Sequence, residues 1–216
     1  MRYSHAGKRQ AGGFTLVELL VVIVIIVALA ALSFGIGKKA ITKSRLTASS
    51  NKCRDMGVRM GAYSSDHAGL LPVYRFEDDN LYWWGVLVTD PKNDSELEIF
   101  HSPNDKEFKV KQIEKTISYA WNVAVMGKTD GAAPGSEEGQ KRMANFNDPN
   151  RVLVLCDGPK GGHSGQLEST TLPDEKRYDG KVAALFLDGT SRLLDIEGEF
   201  KNNDKWFKNP DKKDGE

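Results

Sequence analysis

"KRQAGGFTLVELLVVIVIIVALAALSFGIGKKA", residues 8–40, contains a run apolar enough to span a bilayer and, inside it, one carboxylate, Glu18. From Phe14 to Phe34 there are 21 residues with no other charge. As a helix that run is ~32 Å long, close to the thickness of a hydrocarbon core. Its Val and Ile residues favour strands in water, but in lipid only a helix satisfies its own backbone groups. Residues 1–13 hold Arg2, Lys8 and Arg9 and no acid, which places them on the cytoplasmic side of an inner membrane. Two ordinary readings compete. A secretory signal peptide would use "ALA" at 28–30 as its cleavage site, yet a charge within its apolar region impedes insertion. A plain membrane anchor gives Glu18 no task.

The basic leader, "GG" at 12–13 and "FTLVELL" at 14–20 together resemble the prepilin signature of type IV pilins and type II secretion pseudopilins. The resemblance implies that prepilin peptidase cuts between Gly13 and Phe14 and that the new amino terminus of Phe14 is N-methylated. Glu18 lies one helical turn from Phe14 on the same face. An isolated carboxylate in lipid is costly, and so is an isolated ammonium group, but a pair of them costs far less. Packed side by side, Glu18 of one subunit can meet Phe14 of its neighbour. In this family that pairing directs assembly. Phe14 and Glu18 are therefore the expected assembly residues.

Beyond the run, "GIGKKA" at 35–40 fits a dinucleotide fingerprint in letters only, since a membrane helix and not a strand precedes it. Lys38 and Lys39 mark the outer interface. Leu46, Cys53, Met56, Met60 and Tyr63 then form a narrow apolar stripe at helical spacing. Arg45, Lys52, Arg54, Asp55 and Arg59 fill the other faces, and Gly69 and Pro72 stop the helix. The expected organisation is a leader at 1–13, a transmembrane assembly helix at 14–37 and its amphipathic continuation at 38–68. A periplasmic α+β domain at 69–197 and a charged tail at 198–216 complete it.

Within the domain, "TISYAWNVAV" at 116–125 alternates and reads as one strand with Ile117, Tyr119, Trp121, Val123 and Val125 on its buried face. "RVLVLCDG" at 151–158 reads as a short buried strand. "VAALFLDGTSRLLDI" at 182–196 reads as a hairpin turning on Asp188-Gly189 in a two-residue type I′ turn. About four strands beside a long helix make an α+β fold, a long N-terminal helix packed on a small antiparallel sheet. In the tail, Trp206 and Phe207 are the expected anchors.

The pieces at 51–72, 100–105, 118–122 and 177–194 are similar to a pseudopilin-like group typical of planctomycetes and verrucomicrobia. Ser102 and Tyr178 stand where that group has a cysteine and a histidine, while Asp188-Gly189 is kept. The two cysteines, Cys53 and Cys156, are too few for a disulfide scaffold. They either form one bridge in an oxidising compartment or stay free. His67, His101 and His163 are scattered, so no zinc site is expected. Asp174, Glu175, Asp179 and Asp188 offer oxygens to calcium, as the resemblance to the major secretion pseudopilin suggests, but acidic loops are ordinarily just solvated. No metal or cofactor is expected. Formal charge is zero over the chain, which gives no sign of a nucleic-acid partner.

The sequence thus describes a structural subunit and not an enzyme, with prepilin peptidase, other pseudopilins or pilins and the inner-membrane assembly machinery as partners. It would pass from the inner membrane into a type II secretion pseudopilus. The alternatives are a type IV pilus subunit serving adhesion, motility or DNA uptake, and a membrane-anchored binding protein or enzyme.

Overall fold

The computed structural model describes residues 14–133, 136, 138–159, 165–201 and 205–208, the side chains of 32–36 excepted. One helix, α1 (Leu16–Asp66), dominates the chain. The chain divides into two compact units, Met1–Ile41 and Thr42–Glu216, so the two parts of α1 are taken separately.

In the first unit every large apolar side chain from Phe14 to Leu29 is exposed, from 44% at Val22 to 81% at Leu16. Nothing among the described residues covers this surface, and an apolar surface so continuous is the mark of a lipid or protein contact. The described side chains of the run end at Ala31. Among the described residues no helix is long and apolar enough to cross a membrane.

In the second unit α1 buries Leu46, Cys53, Met56 and Met60 against a sheet, with Tyr63 partly buried beside them. The helix stops as Gly69 and Pro72 lead one to expect. Ala68 and Gly69 turn left-handed, at φ 53° and 82°, and the Gly69 N–H donates to Ser64 O at 2.8 Å, closing the last turn. A second row on the helix explains its basic residues. Arg45 donates to Asn104 Oδ1 at 2.7 Å, Lys52 to the carbonyls of Glu98 and His101 at 2.6 and 2.8 Å, and Arg59 to Leu87 O at 3.1 Å. Three cations spaced by seven thus hold the segment 87–104, which consists mostly of single helical turns.

A two-stranded hairpin, β1 (Arg75–Phe76) and β2 (Leu81–Tyr82), precedes the main sheet. The main sheet comprises β3 (Tyr119–Asn122), β4 (Leu153–Asp157), β5 (Gln166–Leu167), β6 (Lys181–Phe186) and β7 (Ser191–Asp195) in the order β5-β3-β4-β6-β7. All pairings are antiparallel except β3 with β5, which is parallel. The sheet is therefore mixed and has one more strand than expected; β5 is only two residues long and carries no alternation to announce it. α1 covers one face, over Tyr119, Trp121, Val154, Ala183 and Leu185. The other face, with Ala120, Leu153, Cys156, Ala184 and Phe186, is closed by Ile196 and Phe200, with Leu172, Trp206 and Phe207 packed against it. Because both faces are buried, β4 and β6 read as unbroken apolar runs.

Two local expectations need correction. The alternating stretch 116–125 is a strand only over Tyr119–Asn122, after which Val123–Met126 makes one helical turn. All four residues of β3 are buried, so the alternation did not mark one wet and one dry face. The hairpin turn is also not type I′, since of Asp188 and Gly189 only Gly189 is left-handed, at φ 80°. Gly189 N–H donates to Phe186 O, and Phe186 N–H to Thr190 O, both at 2.9 Å. That closes a three-residue loop with Gly189 as its bulge. The longer loop lets Leu187 turn inward, where it is buried.

Candidate functional site

α1 begins in a capping box. The Glu18 N–H donates to Thr15 Oγ1 at 3.2 Å, while the Thr15 N–H and hydroxyl donate to Glu18 Oε2 at 2.8 and 2.7 Å. Thr15 is the N-cap and Glu18 the third residue of the helix, so two donors that would lack helical partners are satisfied reciprocally. Glu18 therefore has a local partner as well as the intermolecular one the sequence suggests. The sequence carries a signal for Thr15, T-x-x-E before an apolar run, which the ammonium pairing expected of Glu18 does not include. Cutting after Gly13 would leave the Thr15 peptide N–H in place, so this box is compatible with a mature amino terminus at Phe14. Phe14 itself is 80% exposed. Gly13 and the rest of the leader lie outside the described residues.

The two cysteines are free and buried, and the structure separates them. Cys53 packs in the cluster between α1 and the sheet, whereas Cys156 lies in the cluster on the far face. Cys156 is paired in register with Ala120 and Ala184, and side chains opposite one another across strands share a face. The bridge held open in the sequence is not formed, because the sheet stands between the two side chains. Burial pushes both thiols well up from their ordinary value, so neither is a ready nucleophile.

Three of the four calcium candidates, Asp179 excepted, are otherwise engaged. Asp174 Oδ1 accepts from Lys176 N–H at 3.0 Å, Glu175 pairs with Lys201 at 2.8 Å, and Asp188 caps Thr190 within its own turn. Among the described residues no group of three His, Cys, Asp or Glu side chains could hold a metal. His67 stacks on Tyr63 and His101 on Phe108; His163 lies outside the described residues.

The sequence did not show the polar cluster beneath α1. Ser102 and Tyr178, the two departures from the pseudopilin-like pattern, meet in a 2.7 Å hydrogen bond. Beside them Ser49 of α1 lies 2.9 Å from Tyr119 Oη and donates to Asp157 Oδ2 at 2.9 Å. Arg177 Nη2 donates to Asp105 Oδ2 at 3.0 Å. Burial pushes the Tyr178 hydroxyl up to about 12, so it stays protonated. These groups come from five stretches far apart in the chain, α1, the loop 102–105, β3, β4 and the pair 177–178, which is why no spacing in the sequence joins them.

The site that remains is the amino terminus of α1, with its cap, its lone carboxylate and its uncovered apolar surface. Residues 8–34 match the prokaryotic N-terminal methylation motif. The chain carries a prepilin-type terminus. This match supports the type IV pilin and pseudopilin family, and it indicates processing by prepilin peptidase and assembly with other pilins. No curated protein and no solved structure is significantly similar to the chain.

Proposed function

We propose that the chain is a structural subunit of a type II secretion pseudopilus, anchored in the inner membrane by residues 14–37 and then assembled through this helix into a periplasmic fibre. The observation that carries the reading is the methylation motif lying on a helix whose apolar side chains are exposed among the described residues. Lipid covers that surface before assembly, and neighbouring helices cover it afterwards. In this reading the chain is not an enzyme; chemistry is done to it, at the Gly13–Phe14 bond and at the Phe14 amine. The resemblance of the pieces at 51–72, 100–105, 118–122 and 177–194 to pseudopilin-like proteins, read from the sequence alone, is the reason for preferring the secretion fibre to a surface pilus in this proposal.

Intact-mass and N-terminal analysis of the membrane fraction tests the first step, with a chain beginning at N-methylated Phe14 expected. A chain beginning at Ala31 would instead identify a secretory signal peptide. Neighbouring genes encoding secretion machinery rather than pilus retraction and adhesion proteins are expected for the pseudopilus reading.

A further inference from the structure

The polar cluster beneath α1 has an excess of negative charge. Arg177 is its only cation among the described residues, and its side chain is 5% exposed. It faces two carboxylates, Asp105 at 3.0 Å and Asp157 at 3.8 Å, whose side chains are 9% and 3% exposed. The Nη1 group nearer Asp157 also donates to Ser118 O at 2.9 Å, so the guanidinium serves Asp105 better than Asp157. Asp157 Oδ2 accepts from Ser49 and from the Ala183 N–H, at 2.9 and 3.2 Å. Its Oδ1 accepts no hydrogen bond, and Arg177 Nη1, 3.8 Å away, is too distant to donate one. A fully buried carboxylate oxygen with no donor is costly while charged, and far less so once it carries a proton.

We infer that the junction between α1 and the sheet is proton-linked: Asp105 and Asp157 share one guanidinium, and Asp157 takes up a proton as the surroundings acidify, which tightens the junction. The proton comes from solvent and is held at Oδ1, the oxygen without a donor, while Oδ2 keeps its bonds to Ser49 and Ala183. The groups facing Asp157 allow this. From α1 they are Ser49 and Cys53, from β3 Tyr119, and from the loops Ser102, Asp105, Arg177 and Tyr178, while Cys156 lies next to Asp157 in the chain but on the other face of the sheet. Only Asp105 and Arg177 among them bear charge, since burial keeps both thiols and both phenols protonated. Burial also raises the Asp157 carboxyl above its ordinary value, although Arg177 and its hydrogen bonds pull the other way. A group whose folded value is raised makes the folded protein bind more protons than the unfolded chain. Stability then falls as pH rises through the window above the usual carboxylate range.

The test is thermal unfolding of the full-length chain in detergent micelles, from about pH 8 to about pH 5, for wild type, Asp157→Asn and Asp105→Asn. The midpoint of wild type relative to Asp157→Asn is expected to rise on acidification, by an amount on the order of a few degrees. Asp105→Asn gives Arg177 to Asp157 alone, so the same rise is expected at lower pH. Parallel profiles for wild type and Asp157→Asn overturn the inference, and so does a rise that Asp105→Asn leaves in place. Should Asp157→Asn fail to fold, infrared spectroscopy of wild type decides. A protonated buried carboxyl band that appears on acidification, and at lower pH in Asp105→Asn, supports the inference. Absence of that band, or its appearance at one pH in both proteins, overturns it.

Discussion

The two parts of α1 are built from the same backbone and differ in where their apolar side chains find cover. Between Leu46 and Met60 the chain supplies its own partner, a sheet whose facing residues are buried to the last few per cent. Between Phe14 and Leu29 the described residues supply none. The first unit also carries its charge differently, with Glu18 tied to Thr15 at the start of the helix, whereas the cations of the second unit reach across to another segment. One helix thus holds a satisfied demand and an unsatisfied one. The unsatisfied one is the part that calls for other molecules.

The sharpest way to break this contrast is Glu18→Ala. In the proposed fibre, incorporation is expected to be abolished while cleavage after Gly13 and membrane insertion persist; Glu18→Asp should fall between. Fibre yield from fractionated cells, read beside the processed fraction in membranes, measures both. Normal incorporation of a processed Glu18→Ala subunit would favour a plain anchor.

Next in size is a cavity under the second part. Met56→Ala, at a side chain with no solvent exposure, should cost about 2–5 kcal/mol of stability. Val58→Ala, two residues away and 70% exposed, should stay within about 0.5 kcal/mol. Denaturant unfolding of the two variants distinguishes them, and equal losses would mean that the second part of α1 is not docked as described.

Thr15→Ala removes the helix cap and is expected to cost about 0.5–2 kcal/mol at the helix start, seen as faster amide exchange confined to the first turn. The smallest effect is expected from the thiols. Cys53 and Cys156 should titrate as two free groups under denaturing conditions without reductant, and Cys53→Ser should leave the electrophoretic mobility of the non-reduced chain unchanged. A bridge found between them would require the sheet to be rebuilt.

The sequence made the helix legible because its signals are periodic and local: the apolar stripe and the Gly69 stop both act within a few residues. The strands at 153–157 and 181–195 were legible as apolar runs and a turn. What it hid is what depends on contacts between distant segments. The β3 alternation misled because α1 and the C-terminal residues bury both faces, and β5 has too few residues to show a period. The cysteines looked able to meet because nothing in the sequence says which face of β4 carries Cys156. At the amino terminus the motif was readable because its residues are consecutive, whereas the cap that Thr15 makes with Glu18 was not read, though it too is local.

The row Arg45, Lys52 and Arg59 has a consequence for how this chain can change length. Its three rungs support a segment with little regular structure of its own, so the spacing between them is a fixed gauge. A single residue inserted between Lys52 and Arg59 would rotate one end of the row by about 100° against the other, and Arg59 could no longer reach Leu87 while Arg45 held Asn104. Seven inserted residues would restore the direction but displace the rung by about 10 Å. Relatives of this chain should therefore vary in length outside 45–59, with indels before the row or in the loops after Gly69, and leave the interval between its rungs untouched.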